Sequence, residues 1–292
     1  MASVAFVLHH DRAEAVALAR EAATWLLDQG HEVRLSDADA RHAGLPDLAC
    51  AEGRLTLGLD VAVSLGGDGT MLRTVDLVAD DRVPVIGVNL GHLGYLAEVE
   101  PRHLHTALQR FFAGDHDIQE RMRLTVAVDA PSRAEAGSCS FPALNEAVVG
   151  KTPTGQIVRV EVAVDGERFT TYHADGIIVA TPTGSTAYAW SAGGPIIAPS
   201  HAALLLIPVA PHMLFDRPLV LPPQATVRLE VAADRAAVLS VDGRSLGRLE
   251  VGDAIACTAA RHPGLVATFN GRGFLGILKA KFGLNDRGAG HW

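Results

Sequence analysis

The segment Ser64-Leu65-Gly66-Gly67-Asp68-Gly69-Thr70-Met71-Leu72 reads as strand, glycine turn and helix. Glycines at Gly66, Gly67 and Gly69 let the backbone approach a ligand. The helix N-terminus behind them offers unpaired N–H groups and a positive dipole end, which together suit a phosphate. The carboxylate of Asp68 would repel that phosphate. Its place in the loop points instead to accepting a proton from a hydroxyl, or to holding a divalent cation that bridges phosphates. The plainer alternative is a tight turn capped by the Asp side chain.

Two further segments carry polar groups where an ordinary core would not. Asn145-Glu146 lies within Phe141-Pro142-Ala143-Leu144-Asn145-Glu146-Ala147-Val148-Val149. Adjacent amide and carboxylate groups can read a purine edge and grip a ribose diol, or they can form an Asx turn at a strand end. The third segment runs from Ala174-Asp175-Gly176 through the apolar Ile177 to Ala180 into Thr181-Pro182-Thr183-Gly184-Ser185-Thr186-Ala187-Tyr188. A buried strand there opens into hydroxyl-rich residues and a helix ending at Gly193-Gly194-Pro195. Helix capping by Thr183 or Ser185 is the alternative reading.

The elements that must position these groups fall into two patterns. Up to about residue 120, short apolar runs alternate with helical spacing, as in βαβ units. Val4 to Leu8, Val33 with Leu35, Val61 to Leu65, and Val85 to Val88 read as strands. Asp11 with Glu14 resembles a capping box for a helix carrying Val16, Ala19, Ala23, Leu26 and Leu27, which Gly30 stops. Leu72, Val75 and Val78 form the face of the helix behind the glycine loop, broken by Pro84, and Leu104, Ala107, Leu108, Phe111 and Phe112 mark another. Near Arg121 the period changes to two, at Met122, Leu124, Val126 and Val128, at Val158, Val160, Val162 and Val164, and at Val227, Leu229 and Val231. Asp165-Gly166 and Asp242-Gly243 are hairpin signals. Leu275, Leu278 and Phe282 form the face of a closing helix after Gly273. The expectation is a Rossmann-like α/β domain over residues 1–120, a β-sandwich-like domain over 121–270, and a closing helix in 271–292 that returns to the first, with ligand in the crevice between domains.

Composition bounds the partners. The chain has 292 residues, 48% hydrophobic and 20% charged, and a net charge of −8. An acidic chain of this kind is not expected to bind nucleic acid or an anionic membrane through a broad basic surface. No apolar run reaches transmembrane length and Val4 to Leu8 is too short for a signal segment, so a cytoplasmic protein is expected. Cys50, Cys139 and Cys257 are scattered without metal spacing and read as reduced thiols. His9 and His10 end the first strand, where adjacency alone does not make a metal site.

Taken in order, Gly66-Gly67-Asp68-Gly69-Thr70, Gly87-Val88-Asn89-Leu90-Gly91-His92-Leu93-Gly94-Tyr95-Leu96, Ala143-Leu144-Asn145-Glu146, and the block from Asp175-Gly176 through Tyr188 to Ser191-Ala192-Gly193-Gly194-Pro195-Ile196 resemble the NAD kinase family. The GGDGT element is also similar to elements of diacylglycerol and sphingosine kinases and of phosphofructokinases. The block around Thr183 to Tyr188 is far more specific. The resemblance implies transfer of the γ-phosphoryl group of ATP, or of a group from polyphosphate, to the 2′-hydroxyl of the adenosine ribose of NAD. It implies Mg²⁺ or a similar divalent cation, with ligands unknown, and a homodimer or homotetramer. Asp68 would take the hydroxyl proton, with Gly66, Gly67, Gly69 and Thr70 forming the phosphate loop. Asn145 and Glu146 would hold the adenosine half, Thr186, Ala187 and Tyr188 would line the adenine and ribose pocket, and Thr183 and Ser191 would be further NAD-binding residues. Asp175 matches an aspartate near the nicotinamide end that often acts across a subunit contact, and Ala210 matches a position in the dinucleotide pocket. Arg73 could reach a phosphate. His173 stands where the family varies, and Arg244 stands where many members have glutamine. A lipid or sugar kinase, and a non-catalytic dinucleotide sensor, are the competing readings; the Asn-Glu pair opposes the first and an intact Asp68 the second.

Overall fold

Strands buried on both faces read as unbroken apolar runs, and such runs build the first part of the chain in the computed structural model. The structure describes all residues except 92–93, 134–138, 153–155, 234, 270–272 and 285–292. In order come β1 (Ser3–Leu8), α1 (Ala13–Asp28), β2 (Glu32–Ser36), α2 (Asp37–Ala43), β3 (Ala49–Cys50), α3 (Glu52–Leu55), β4 (Val61–Gly66), α4 (Asp68–Val78), β5 (Val85–Asn89), α5 (Leu104–Phe112) and β6 (Asp117–Arg121). Strand β1 pairs in parallel with β2 and β4, and β4 with β5. Helix α1 buries Ala15, Ala19, Ala22, Ala23 and Leu26, so small side chains let it lie close to the sheet.

The capping box expected at Asp11 and Glu14 is not formed. Helix α1 begins at Ala13 with Arg12 as its N-cap and no side-chain cap. The backbone N–H of Asp11 donates instead to His9 Nδ1 at 3.2 Å, which draws Asp11 into the preceding turn. Helix α4 also ends before Pro84: a 3₁₀ turn at Ala79–Asp81 follows Val78, and Arg82 at φ 56° then reverses the chain.

From Arg121 the alternating pattern produces β7 (Leu124–Asp129), β8 (Cys139–Ala143), β9 (Glu146–Lys151), β10 (Val158–Val164), β11 (Glu167–Ala174), β12 (Gly176–Ala180), α6 (Tyr188–Ser191), β13 (Leu204–Val209), β14 (Leu219–Leu221), β15 (Val227–Val231), β16 (Ala237–Val241), β17 (Arg244–Leu249) and β18 (Ala254–Ala259). They form two six-stranded antiparallel sheets, ordered β11-β10-β15-β18-β7-β8 and β14-β13-β12-β9-β16-β17. One core holds Val126, Val160, Leu229 and Ile255 from the first sheet together with Val149, Ile177, Leu206 and Leu239 from the second, which makes a sandwich. The helix expected to run up to Gly193 is short. A 3₁₀ turn at Gly184–Thr186 precedes α6, which stops at Ser191. At both Asp-Gly hairpins the two central residues are left-handed, with φ 51° and 82° at Asp165-Gly166 and 47° and 76° at Asp242-Gly243, the type I′ geometry.

The last elements are β19 (Gly264–Thr268) and α7 (Phe274–Phe282). Strand β19 joins the first sheet through Val266 opposite Val85, completing the order β3-β2-β1-β4-β5-β19-β6. The chain therefore divides into one unit of Met1–Glu120 with Gly264–Trp292, and another of Arg121–Pro263. The sequence reading kept 264–268 with the β-rich part, since local pattern does not say which sheet a strand enters. On helix α7 Leu275 is 71% exposed and stands off the packed face, while Leu278 is half-buried. Ile277 faces a cavity of about 900 Å³ shared with Phe269 and Arg110, and Lys281 Nζ lies 4.1 Å from the centre of the Tyr95 ring.

Candidate active site

In the first unit, β4 ends where the glycine loop begins. The Gly67 carbonyl accepts the N–H groups of Thr70 and Met71, each at 3.0 Å, which starts α4. A Cβ on Gly66 would lie 2.2 Å from Thr70 Oγ1, whereas one on Gly67 or Gly69 would meet nothing within 4 Å. Gly66 thus serves internal packing, and Gly67 and Gly69 leave an open approach to the backbone. Asp68 does not cap its own helix. Its Oδ2 accepts the Tyr95 N–H at 2.9 Å and its Oδ1 the Leu96 N–H at 3.2 Å. A Cβ on Gly94 would fall 2.1 Å from Asp68 Oδ1, so the clamp requires glycine at that position. Burial, followed by the Asp68 charge, raises the Tyr95 phenol above its ordinary value. His92 and Leu93 of the same motif lie outside the described residues.

Two arginines tie the ends of strands in this sheet. The Arg73 guanidinium donates to the Leu8 carbonyl at the end of β1. Arg12 donates to the Leu90 carbonyl beyond β5, and a Cβ on Gly91 would lie 3.0 Å from its Nη2. Arg12 was missed in the sequence reading. Its signal was a basic residue directly after the first strand of a parallel sheet, at the carboxyl ends where ligands bind.

In the second unit, Asp242 organises the Asn-Glu pair. Its carboxylate accepts the backbone N–H groups of Leu144 at 2.7 Å, Asn145 at 2.8 Å and Glu146 at 3.0 Å. This replaces the Asx turn considered for Asn145. Thr181 adds a second tie, since its hydroxyl donates to the Leu144 carbonyl at 2.5 Å and its N–H to the Asn145 carbonyl at 2.9 Å. A Cβ on Gly184 would sit 2.2 Å from the Asn145 carbonyl oxygen, so the hydroxyl-rich turn lies directly on the pair. Neither hydroxyl proposed as a helix cap acts as one. Ser185 Oγ bonds the Pro182 carbonyl at 2.6 Å and accepts the Ile197 N–H at 3.0 Å, while Thr183 Oγ1 is buried without a partner. Glu146 is 6% exposed, its Oε2 also has no partner, and burial, with Asp242 behind it, pushes its carboxyl up to about 8. Tyr188 is 44% exposed at the start of α6, and Thr186 bonds back to the Thr183 carbonyl at 3.3 Å. Ala187 and Ser191 follow on the same turn and on α6, and Arg244 opens β17 after the Asp242-Gly243 turn.

The remaining expected site residues collect elsewhere. Glu146 pairs with Ala180 at one end of β12, while Gly176 pairs with Gly150 and Val209 at the other. At that far end Asp175 forms an ion pair with Lys151 at 2.8 Å, His173 accepts the His212 N–H at 2.7 Å, and Ala210 holds φ 44°. Four residue steps of a strand separate the ends by about 13 Å. One chain therefore does not bring Asp175, His173 and Ala210 to Glu146.

Among the described residues, no group of three or more His, Cys, Asp or Glu is placed to hold a metal ion. His10 instead pairs with Asp39 at 2.7 Å. A divalent cation carried on phosphate oxygens, with Asp68 as a protein ligand, would need no such group.

An α/β unit with a glycine loop and clamped aspartate, joined to a sandwich with an Asn-Glu pair whose glutamate is buried, is the construction of a nucleotide-dependent phosphotransferase. Residues 4–116 match the family model of the ATP-NAD kinase N-terminal domain, and residues 144–268 that of the C-terminal domain. The chain is 43% identical to the NAD kinase of Heliobacterium modesticaldum over 96% of this chain and 98% of that one, and 40% identical to that of Moorella thermoacetica over 88% and 81%. Yeast NADH kinase, solved with NADH, superposes with a TM-score of 0.90 at 25% identity over 100% of this chain and 90% of that one. An NAD kinase from Archaeoglobus fulgidus, solved with ATP, gives 0.70 at 25% identity over 97% of each. The chain belongs to the NAD kinase family, whose reaction is the phosphorylation of NAD to NADP.

Proposed function

We propose that Asp68 is the general base of this reaction and that the acceptor is the 2′-hydroxyl of the adenosine ribose. The observation that carries this reading is the clamp on Asp68. Two backbone N–H groups fix its carboxylate beside the open faces of Gly67 and Gly69, where a phosphoryl group can meet an N-terminal helix dipole. A ribose hydroxyl is a weak nucleophile until its proton begins to leave, and a positioned carboxylate takes that proton as the new P–O bond forms. A cation bound with the donor's phosphates supplies charge neutralisation. Glu146 takes the ribose diol. Its partnerless buried oxygen needs a donor, which vicinal hydroxyls supply, and Thr183 Oγ1 has the same need. Asn145, Thr186, Ala187, Tyr188 and Ser191 surround the base and ribose, with Arg244 at the rim. ATP is the donor, with polyphosphate the alternative.

The separation along β12 supports a shared site, in which Asp175, His173 and Ala210 of one copy serve the nicotinamide end of NAD held by Glu146 of another. A homodimer or homotetramer follows. Among the described residues no helix is long and apolar enough to cross a membrane. The three free cysteines suit the cytoplasm, which we take as its compartment. The test is a panel of ATP, other nucleoside triphosphates and polyphosphate against NAD and NADH, with products identified by mass and phosphate position. Phosphate on any other hydroxyl would refute the acceptor assignment.

A further inference from the structure

We infer that Asp242 is a positioning residue for the acceptor nucleotide: its carboxylate fixes the backbone from Leu144 to Glu146 and stands as a like charge behind the Glu146 side chain. The inference rests on the reading that Glu146 takes the ribose diol. Three consecutive N–H groups converge on one carboxylate at 2.7 to 3.0 Å, and the N–H of Asp242 returns to the Glu146 carbonyl at 3.0 Å. Three successive amides on one carboxylate leave that stretch a single orientation, and with it a single origin for the Asn145 and Glu146 side chains. The type I′ turn makes this possible, because φ 47° at Asp242 turns its short side chain back over the start of β9.

The same placement sets the charge around Glu146. Its partner on β12 is the neutral Ala180, its neighbours along the chain are the neutral Asn145 and Ala147, and beyond β16 Asp242 returns its N–H to the Glu146 carbonyl. The charge acting on it is that of Asp242. Asp242 therefore holds the grip in place while making it harder to ionise, and a ribose diol that donates to the carboxylate offsets that repulsion on binding.

The test is NAD affinity of the full-length protein by calorimetry from pH 6 to 9, for the native chain and for Glu146→Gln, Asp242→Asn and Asp242→Glu, with thermal unfolding as the control for folding. Native affinity should rise with pH as Glu146 ionises, and Glu146→Gln should flatten the profile. Asp242→Asn should weaken binding about ten-fold at pH 9, where Glu146 is ionised in both proteins, and should move the midpoint of the profile to lower pH. Asp242→Glu keeps the charge with altered reach. It should leave the midpoint near the native one while weakening binding. A residue that only held the turn would change affinity and stability without moving the midpoint, and that result overturns the inference. If Glu146→Gln leaves the native profile intact, the Glu146 reading itself fails and the inference falls with it.

Discussion

At Asp68 the amide is the informative replacement. Asp68→Asn preserves size and can still accept one backbone N–H, but it does not take up a proton. We expect kcat to fall about 10²-fold or more, with NAD affinity within a few-fold and the unfolding temperature nearly unchanged. Near-normal turnover would remove Asp68 from the base role, and lost stability would return it to the turn. Gly94→Ala reaches the same carboxylate from outside. A methyl group 2.1 Å from Oδ1 must displace it, and a shift of about 1 Å at a reacting group lowers kcat by about 10²-fold. Steady-state kinetics on Gly94→Ala should show that loss with the KM for NAD little changed; wild-type kcat would mean that the clamp does not set the chemistry. For Glu146, stability rather than rate reports the environment. Its carboxyl stands at about 8 in the folded chain against an ordinary 4.5. Between those values the unfolded chain gives up the proton and the folded chain keeps it, so stability falls as pH rises through that window. Glu146→Gln removes this dependence. The variant should unfold at a higher temperature than the native chain at pH 8 and at about the same temperature near pH 4. Parallel curves would show that the carboxyl is not held protonated.

Two hairpins of the same geometry make the element-scale test. Gly166 and Gly243 both hold positive φ, at 82° and 76°, and an alanine at either would have free space around its Cβ. Backbone strain is then the whole local cost, about 1 kcal/mol in each case. The consequences differ because only the second turn carries a carboxylate that anchors the Asn145-Glu146 strand. Gly166→Ala should cost stability alone, whereas Gly243→Ala should also raise the KM for NAD several-fold. Equal KM values in the two variants would separate the turn from the site. Helix α7 reaches the Asp68 clamp of its own unit through Lys281 over the ring of Tyr95, whose N–H holds Asp68.

For the whole molecule, the length of β12 matters most. It places Asp175 and Glu146 at opposite ends of one strand, and the proposal of a site shared between copies is tested there. Asp175→Ala and Glu146→Ala should each be nearly inactive alone. Mixed and allowed to exchange subunits, they should recover about a quarter of native activity, since half the dimers are mixed and each has one intact site of two. No recovery, or full activity in a monomer obtained by dilution, would place the whole site in a single chain.

The change from helical spacing to period two near Arg121 was enough to set an α/β unit before a sandwich, because each period follows from the geometry of one element. The Gly-Gly-Asp-Gly-Thr, Asn-Glu and Thr-Pro-Thr-Gly-Ser-Thr segments were legible in the same way, since each joins a strand end to polar residues that a core would not accommodate. The partners of those residues were not legible. Asp68 is held by Tyr95, 27 positions on, and Asn145 by Asp242, 97 positions on, and Asp242 read only as half of a turn signal. Strand β19 was assigned to the wrong sheet, and Leu275 to the wrong face of α7, for a related reason. An apolar strand or helix carries its period in its own residues, but which surface it covers is settled by the burial left open elsewhere in the chain. Sequence named the groups that could do the chemistry; the backbone donors that aim them, and the burial that sets the charge of Glu146, exist only once residues far apart in the chain have been packed together.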